Sequence, residues 1–184
     1  MMDAFEQKKV LQSFRIVADN REQDTERARK RYAAFGVPVI RGTLNFGDYC
    51  YNADLPDGSP IYDEAVTITP ACVVERKMDL AELSQCLAQG RDRFRREFQR
   101  AAEAGSKIYL VVENASWENL VNGRYRTKFN PKAFTASLIA WTVRYGTVPI
   151  LCKEEVSPVL IREILYRDLK ERLERGDFDE RIIV

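Results

Sequence analysis

A chain of 184 residues, 45% of them hydrophobic, can bury one ordinary core and shows no low-complexity stretch, so a single domain is the expectation. Its 29 basic and 28 acidic residues leave a net charge of +1, which excludes a protein that coats nucleic acid by bulk positive charge. The absence of histidine, with Cys50, Cys72, Cys86 and Cys152 far apart and without C-x-x-C spacing, excludes histidine triads and argues against a structural zinc site.

In chain order, residues 1–13 read as a charged N-terminal extension without the apolar core of a signal peptide. Residues 14–18 predict a strand ending at Asp19, and Thr25 caps a helix that Gly36 stops. Residues 37–40 and 46–51 read as strands, and Pro56-Asp57-Gly58-Ser59-Pro60 as a turn within a hairpin excursion before the next strand, 71–75. Helices follow at 80–88 and 91–104, then a buried strand at 107–112, a short helix at 117–121 and a basic loop. Asn130 and Pro131 open a helix to Tyr145, residues 147–152 form a last strand, and Ser157-Pro158 opens a helix to about Glu174. The alternation predicts an α/β domain over 14–175, a central mixed sheet flanked by helices, followed by a tail at 176–184 that the sequence leaves frayed or docked. No run approaches the roughly 18 apolar residues of a membrane span, and cysteines in apolar stretches suit a reducing compartment, so the expectation is a soluble intracellular protein with no membrane partner.

The chemistry concentrates at Glu75-Arg76-Lys77, at the end of the apolar run 71–74. Side chains two apart on a strand share a face, so Glu75 and Lys77 emerge together while Arg76 points the other way. Asp48, on a neighbouring predicted strand, would complete a hard-oxygen site for Mg²⁺, which takes one or two carboxylates and keeps several waters. Lys77 would then orient a water or offset charge building on phosphate oxygens. On the 91–104 helix, Arg91, Arg93, Arg95, Arg96 and Arg100 form a basic cluster broken by Asp92 and Glu97. Phe94 and Phe98 share a core-facing stripe and Arg91 and Arg95 another, which suits phosphate contact, with Arg91 and Arg95 foremost, or a solvated helix face. The loop Arg124-Tyr125-Arg126-Thr127-Lys128 interleaves cations with an aromatic, which suits DNA backbone contact with stacking, or a tyrosine packed beneath a surface loop. Phe134, Leu138, Trp141 and Tyr145 form an apolar stripe for core packing, with a dimer surface as the other reading.

Taken in order, Asp19-x-Arg21-Glu22, Gly47-Asp48-Tyr49 and Glu75-Arg76-Lys77 followed by a leucine-rich helix resemble the nuclease domain of the XPF-type (ERCC4-domain) structure-specific endonucleases, within the PD-(D/E)xK superfamily. The resemblance spans about positions 15 to 152. It implies a restriction-endonuclease-like fold, Mg²⁺ or Mn²⁺ dependence, and incision of branched, forked or flapped DNA near a junction, as DNA repair and recombination require. It also implies Asp48 and Glu75 as metal ligands, aided by Asp19 and the Arg76 carbonyl, with Lys77 as the catalytic lysine. Asp19 and Glu22 become the upstream acids, and Arg21 and Arg76 the arginines near the scissile phosphate. The family's aspartate four residues after the lysine is Ala81 here, with Asp79 and Glu82 nearby to take that role or leave it empty. Eukaryotic members continue into a helix-hairpin-helix domain where this sequence stops at Val184, so DNA grip is expected from the domain itself, a partner or a second copy in a homodimer. Two rival readings stay open: a catalytically inactive DNA-binding or scaffolding subunit, and a site-specific restriction or repair nuclease on the same fold.

Overall fold

The computed structural model of the chain describes residues 2–179. Its six strands are β1 (Arg15–Asp19), β2 (Val39–Gly42), β3 (Tyr49–Asn52), β4 (Cys72–Lys77), β5 (Lys107–Val112) and β6 (Val148–Leu151). They form one sheet in the order β2-β1-β3-β4-β5-β6. β3 runs antiparallel to both neighbours, whereas β1 with β2, β4 with β5, and β5 with β6 are parallel, giving the mixed sheet that the alternating sequence pattern predicts.

Strand alternation sends apolar side chains to both faces, and each face is covered by its own helices. On one, Ile16, Ala18, Tyr51 and Val74 pack with Phe35 of α2 (Glu26–Phe35), Val10 of α1 (Ala4–Gln12), and Ile161, Leu165 and Leu169 of α7 (Ser157–Glu174). On the other, Val17, Cys50, Val73 and Leu110 meet α3 (Leu80–Leu87), α4 (Arg91–Glu103), α5 (Trp117–Val121) and α6 (Pro131–Tyr145). In this second layer Trp141 lies 4.8 Å from both Phe94 and Phe98, so α6 serves the core and fixes where α4 sits. The stripe Phe134, Leu138 and Trp141 is buried, as core packing requires.

Two places differ from the sequence expectation, and a third takes one of the two states it left open. Residues 4–12 of the expected extension are helical: Asp3 accepts from Phe5 and Glu6 N–H groups while Glu6 reaches back to Asp3, a reciprocal cap that starts α1. The excursion between β3 and β4 contains no paired hairpin strands, only the isolated bridge Asp54 to Pro60, and a second bridge ties its Ile68 back to Leu44 ahead of β3. In the tail, Phe178 is buried and Asp179 accepts from the Met2 N–H, so this part docks; residues 180–184 lie outside the described residues.

Candidate active site

The centre of the site is where β3 enters the sheet beside the end of β4. Gly47 has φ +75, a left-handed conformation, and a Cβ there would fall 2.2 Å from Val73 Cγ2. Glycine therefore lets the chain press against β4 just before Asp48. Asp48 is then held from three sides: its N–H donates to Val74 O at 2.9 Å, its C=O accepts from Asp19 N at 2.9 Å, and its Oδ2 accepts from Arg76 N at 2.7 Å. Because β4 continues through Lys77, Glu75 and Lys77 both project from regular strand onto the face that Val73 occupies, and Lys77 Nζ lies 2.5 Å from Glu75 Oε1.

Asp48, Glu75 and Lys77 line one cleft of about 420 Å³ with Arg21, Glu22, Glu82, Cys86, Arg93 and Glu97. Phe94 also lines it, with the Lys77 ammonium 5.3 Å from the ring centroid. Burial pushes the Asp48 carboxyl up to about 7, with Glu22 and Glu97 adding to the rise against the Lys77 charge. Burial and the Asp48 charge raise Glu75 well above the usual carboxylate range. For Lys77 burial works against the charged form, but Glu75 and Asp48 outweigh it and hold the ammonium charged. The cleft thus gathers more carboxyl groups than its one buried cation can keep ionised, a donor set of the kind a hard divalent ion takes in exchange for their protons. Among the described residues no group of three or more acid, cysteine or histidine side chains is preassembled, so such an ion would rest on the two carboxylates and water.

The remaining expected residues fall in several places. Asp19 is buried outside the cleft lining, its oxygens taken by Arg21 N at 2.8 Å, Arg21 Nε at 2.6 Å and Leu44 N at 2.8 Å. It aims Arg21 at the cleft edge. Glu22 lines the cleft and accepts from Tyr49 OH at 3.0 Å. Arg76 turns its side chain to the opposite face and pairs with Glu113. Asp79 is spent capping α3 through the Glu82 N–H, whereas Glu82 lines the cleft with an oxygen 3.9 Å from Lys77 Nζ, so of the two acids flanking Ala81 only Glu82 is placed beside Lys77. Arg91 and Arg95 are exposed on α4 but outside the cleft lining. Arg124, Arg126 and Lys128 are exposed, with Arg124 paired to Glu118 at 2.9 Å. Tyr125 packs under its loop, 5.3 Å from Phe134, and donates to Phe129 O.

Sequence reasoning placed Arg93 and Glu97 in the charged run of α4 but chose Arg91 and Arg95 as the contacts; Arg93 and Glu97 are four apart and so share the α4 stripe that faces the cleft. Glu97 Oε1 accepts from Gly47 N at 2.9 Å, tying α4 to the turn that carries Asp48. It missed Glu113, an acid at the end of a buried strand.

A family profile described as the ERCC4 domain matches residues 18–156. Among solved structures, XPF from Aeropyrum pernix matches with a TM-score of 0.58 at 21% identity, over 84% of this chain and 61% of that one. XPF from Aeropyrum pernix in complex with DNA matches with a TM-score of 0.58 at 23% identity, over 85% of this chain and 65% of that one. The chain therefore spans less than two thirds of the length of those structures, and the likeness establishes the restriction-endonuclease-like α/β fold. No curated protein sequence matches at a significant level. No helix among the described residues is long and apolar enough to cross a membrane.

Proposed function

The chain belongs to the ERCC4 domain family, and from that premise we propose that it is a DNA endonuclease that depends on Mg²⁺ or Mn²⁺ and cuts near junctions in branched, forked or flapped duplexes. The single observation that carries the reading is the shared cleft in which Asp48, at the entry to β3, and Glu75, on the neighbouring β4, meet the buried Lys77. Asp48 and Glu75 would hold the ion, with the Arg76 carbonyl between Glu75 and Lys77 as a further oxygen. A bound divalent ion supplies a lowered water pKa and charge neutralisation at the phosphate.

The chain's own groups do the rest. Lys77, kept charged by its acid neighbours, donates to the attacking water or to a phosphate oxygen as charge builds there. Arg21, anchored by Asp19, and Arg93 border the cleft and bind phosphates on either side of the scissile one. The exposed Arg91 and Arg95, and the loop cations Arg124, Arg126 and Lys128, extend that contact along the backbone. A second copy packed through the outer side of α6, where Ile139 and Val143 are 46% and 82% exposed, would offer the other arm of a branched substrate a matching surface.

A labelled splayed-arm duplex tests the proposal. Cutting is expected with Mg²⁺ and not with EDTA, and Lys77→Ala or Asp48→Asn should lose at least about 100-fold. Failure of the unaltered protein to cut any member of a fork, flap and junction panel with Mg²⁺ or Mn²⁺ would sink the reading. Equal cutting of one linear sequence would move it to a site-specific enzyme.

A further inference from the structure

The two faces of β4 are held by different partners. Glu75 and Lys77 face the cleft, while Arg76 faces the layer of α2 and α7. There Glu113, which follows β5, is wholly buried at 0% side-chain exposure and accepts the Arg76 guanidinium. Ser157 Oγ, at the start of α7, donates to Glu113 Oε1 at 2.5 Å, and Arg31 Nε of α2 lies 3.6 Å from the same oxygen. The Glu113 N–H meanwhile donates to Lys77 O at 2.8 Å.

One residue thus grips the backbone of Lys77 and the side chain of Arg76, and the Arg76 N–H in turn holds Asp48 Oδ2 at 2.7 Å. A buried carboxylate is costly unless its lone pairs are met, and an apolar side chain would fill this place at less cost. What the charge adds is fixed geometry: a guanidinium can be held in one orientation by an acid that is itself held by a hydroxyl and a second arginine. Arg76, 12% exposed and committed to that acid, is turned away from the face that carries Glu75 and Lys77.

We infer that Glu113 is a positioning residue for the cleft: through Arg76 it sets the end of β4 so that Asp48, Glu75 and Lys77 keep their mutual placement. Arg76 serves that bracket and does not grip a DNA phosphate. The inference rests on the endonuclease reading, and its test separates the two.

Wild type, Glu113→Gln, Arg76→Gln and the double variant are compared in three measurements: Mn²⁺ binding by calorimetry without DNA, affinity for a splayed-arm duplex without metal at several salt concentrations, and kcat on that duplex. Each single variant is expected to lose on the order of 10-fold in Mn²⁺ affinity and in kcat. DNA affinity and its salt slope should stay at the wild-type values, and the double variant should be no worse than either single one, because both act through one bracket. Mn²⁺ affinity unchanged in either variant would overturn the inference. So would an Arg76→Gln protein with weaker DNA binding and a salt slope smaller by about one, the mark of a lost phosphate contact. Should Glu113→Gln not fold, Arg76→Gln decides by the same two criteria. A wild type that binds Mn²⁺ but cuts no DNA defeats the endonuclease reading while the Mn²⁺ comparison still judges Glu113; a wild type that binds no Mn²⁺ defeats both.

Discussion

At Asp48 and Glu75 the fold confines two acids with one ammonium, and the sign of the resulting pH dependence follows from their raised pKa values. In the unfolded chain Asp48 ionises near 3.8, and in the fold near 7, so between those values the folded state holds a proton that the unfolded state has lost. Stability from these groups is present at low pH and is lost as pH rises through that window. One pKa unit is worth about 1.4 kcal/mol, so the loss is on the order of 4 kcal/mol for Asp48. On the proposed reading, a divalent ion between the carboxylates would offset it. Metal-free protein should therefore lose stability between about pH 4 and pH 7 from this source, and Mg²⁺ should raise Tm more at pH 8 than at pH 5. Asp48→Asn should raise the metal-free Tm at pH 8 while abolishing that Mg²⁺ response. Calorimetric scans at the two pH values check this, and an equal Mg²⁺ response at both would count against shared binding by the two acids.

Among the elements, the bend into β3 decides where the acid lands. Gly47→Ala forces a side chain into a left-handed backbone and against Val73, at a cost of about 1–3 kcal/mol, and the strand entry must move to relieve it. The Gly47 N–H to Glu97 bond moves with it, so cutting should fall by 10-fold or more while the protein still melts cooperatively; a variant with full activity would show that Asp48 needs no such fixing. The centre of this arrangement was legible in the sequence because a strand has a period of two: once 71–75 reads as a strand, Glu75 and Lys77 share a face and Arg76 takes the other. Arg93 and Glu97 were not legible, because a helix offers several stripes and only tertiary packing chooses which flank meets the strand end. Here Phe94 on Trp141 makes that choice, and it turns Arg93 to the cleft in place of Arg91 and Arg95. Glu113 was hidden for a related reason: in sequence it is one acid after Val112, and its three arginine neighbours arrive from α2 and β4. Helix α1 was readable in principle from the Asp3 and Glu6 pair, but only Val10 of that helix is buried, so apolar periodicity gave it no signal.

For the whole molecule, a net charge of +1 means that the DNA of the proposed function would be held by a local surface and not by bulk charge. The start of α4 is where such a surface meets the cleft, since Arg91, Arg93, Arg95 and Arg96 are exposed there and Arg93 borders the cleft. Asp92 pairs with Arg95 at 3.5 Å, but both are exposed, and an exposed pair of this kind yields readily to a phosphate. If this helix and Arg21 supply about three to five phosphate contacts, the logarithm of the DNA association constant should fall against the logarithm of salt with a slope of about −2.7 to −4.5. Replacing Arg93 by Gln should remove about one unit of that slope and weaken forked and linear duplexes alike, because a phosphate contact carries no shape or sequence information. The same replacement at Arg126, on the separate loop before α6, gauges whether the duplex extends that far: a second loss of about one unit places the DNA across both elements, and no loss confines it to α4 and the cleft. Fluorescence anisotropy of a labelled fork across a salt series, with EDTA present to prevent cutting, measures both slopes. An unchanged slope for Arg93→Gln would mean that the strand enters the cleft by some route other than the start of α4.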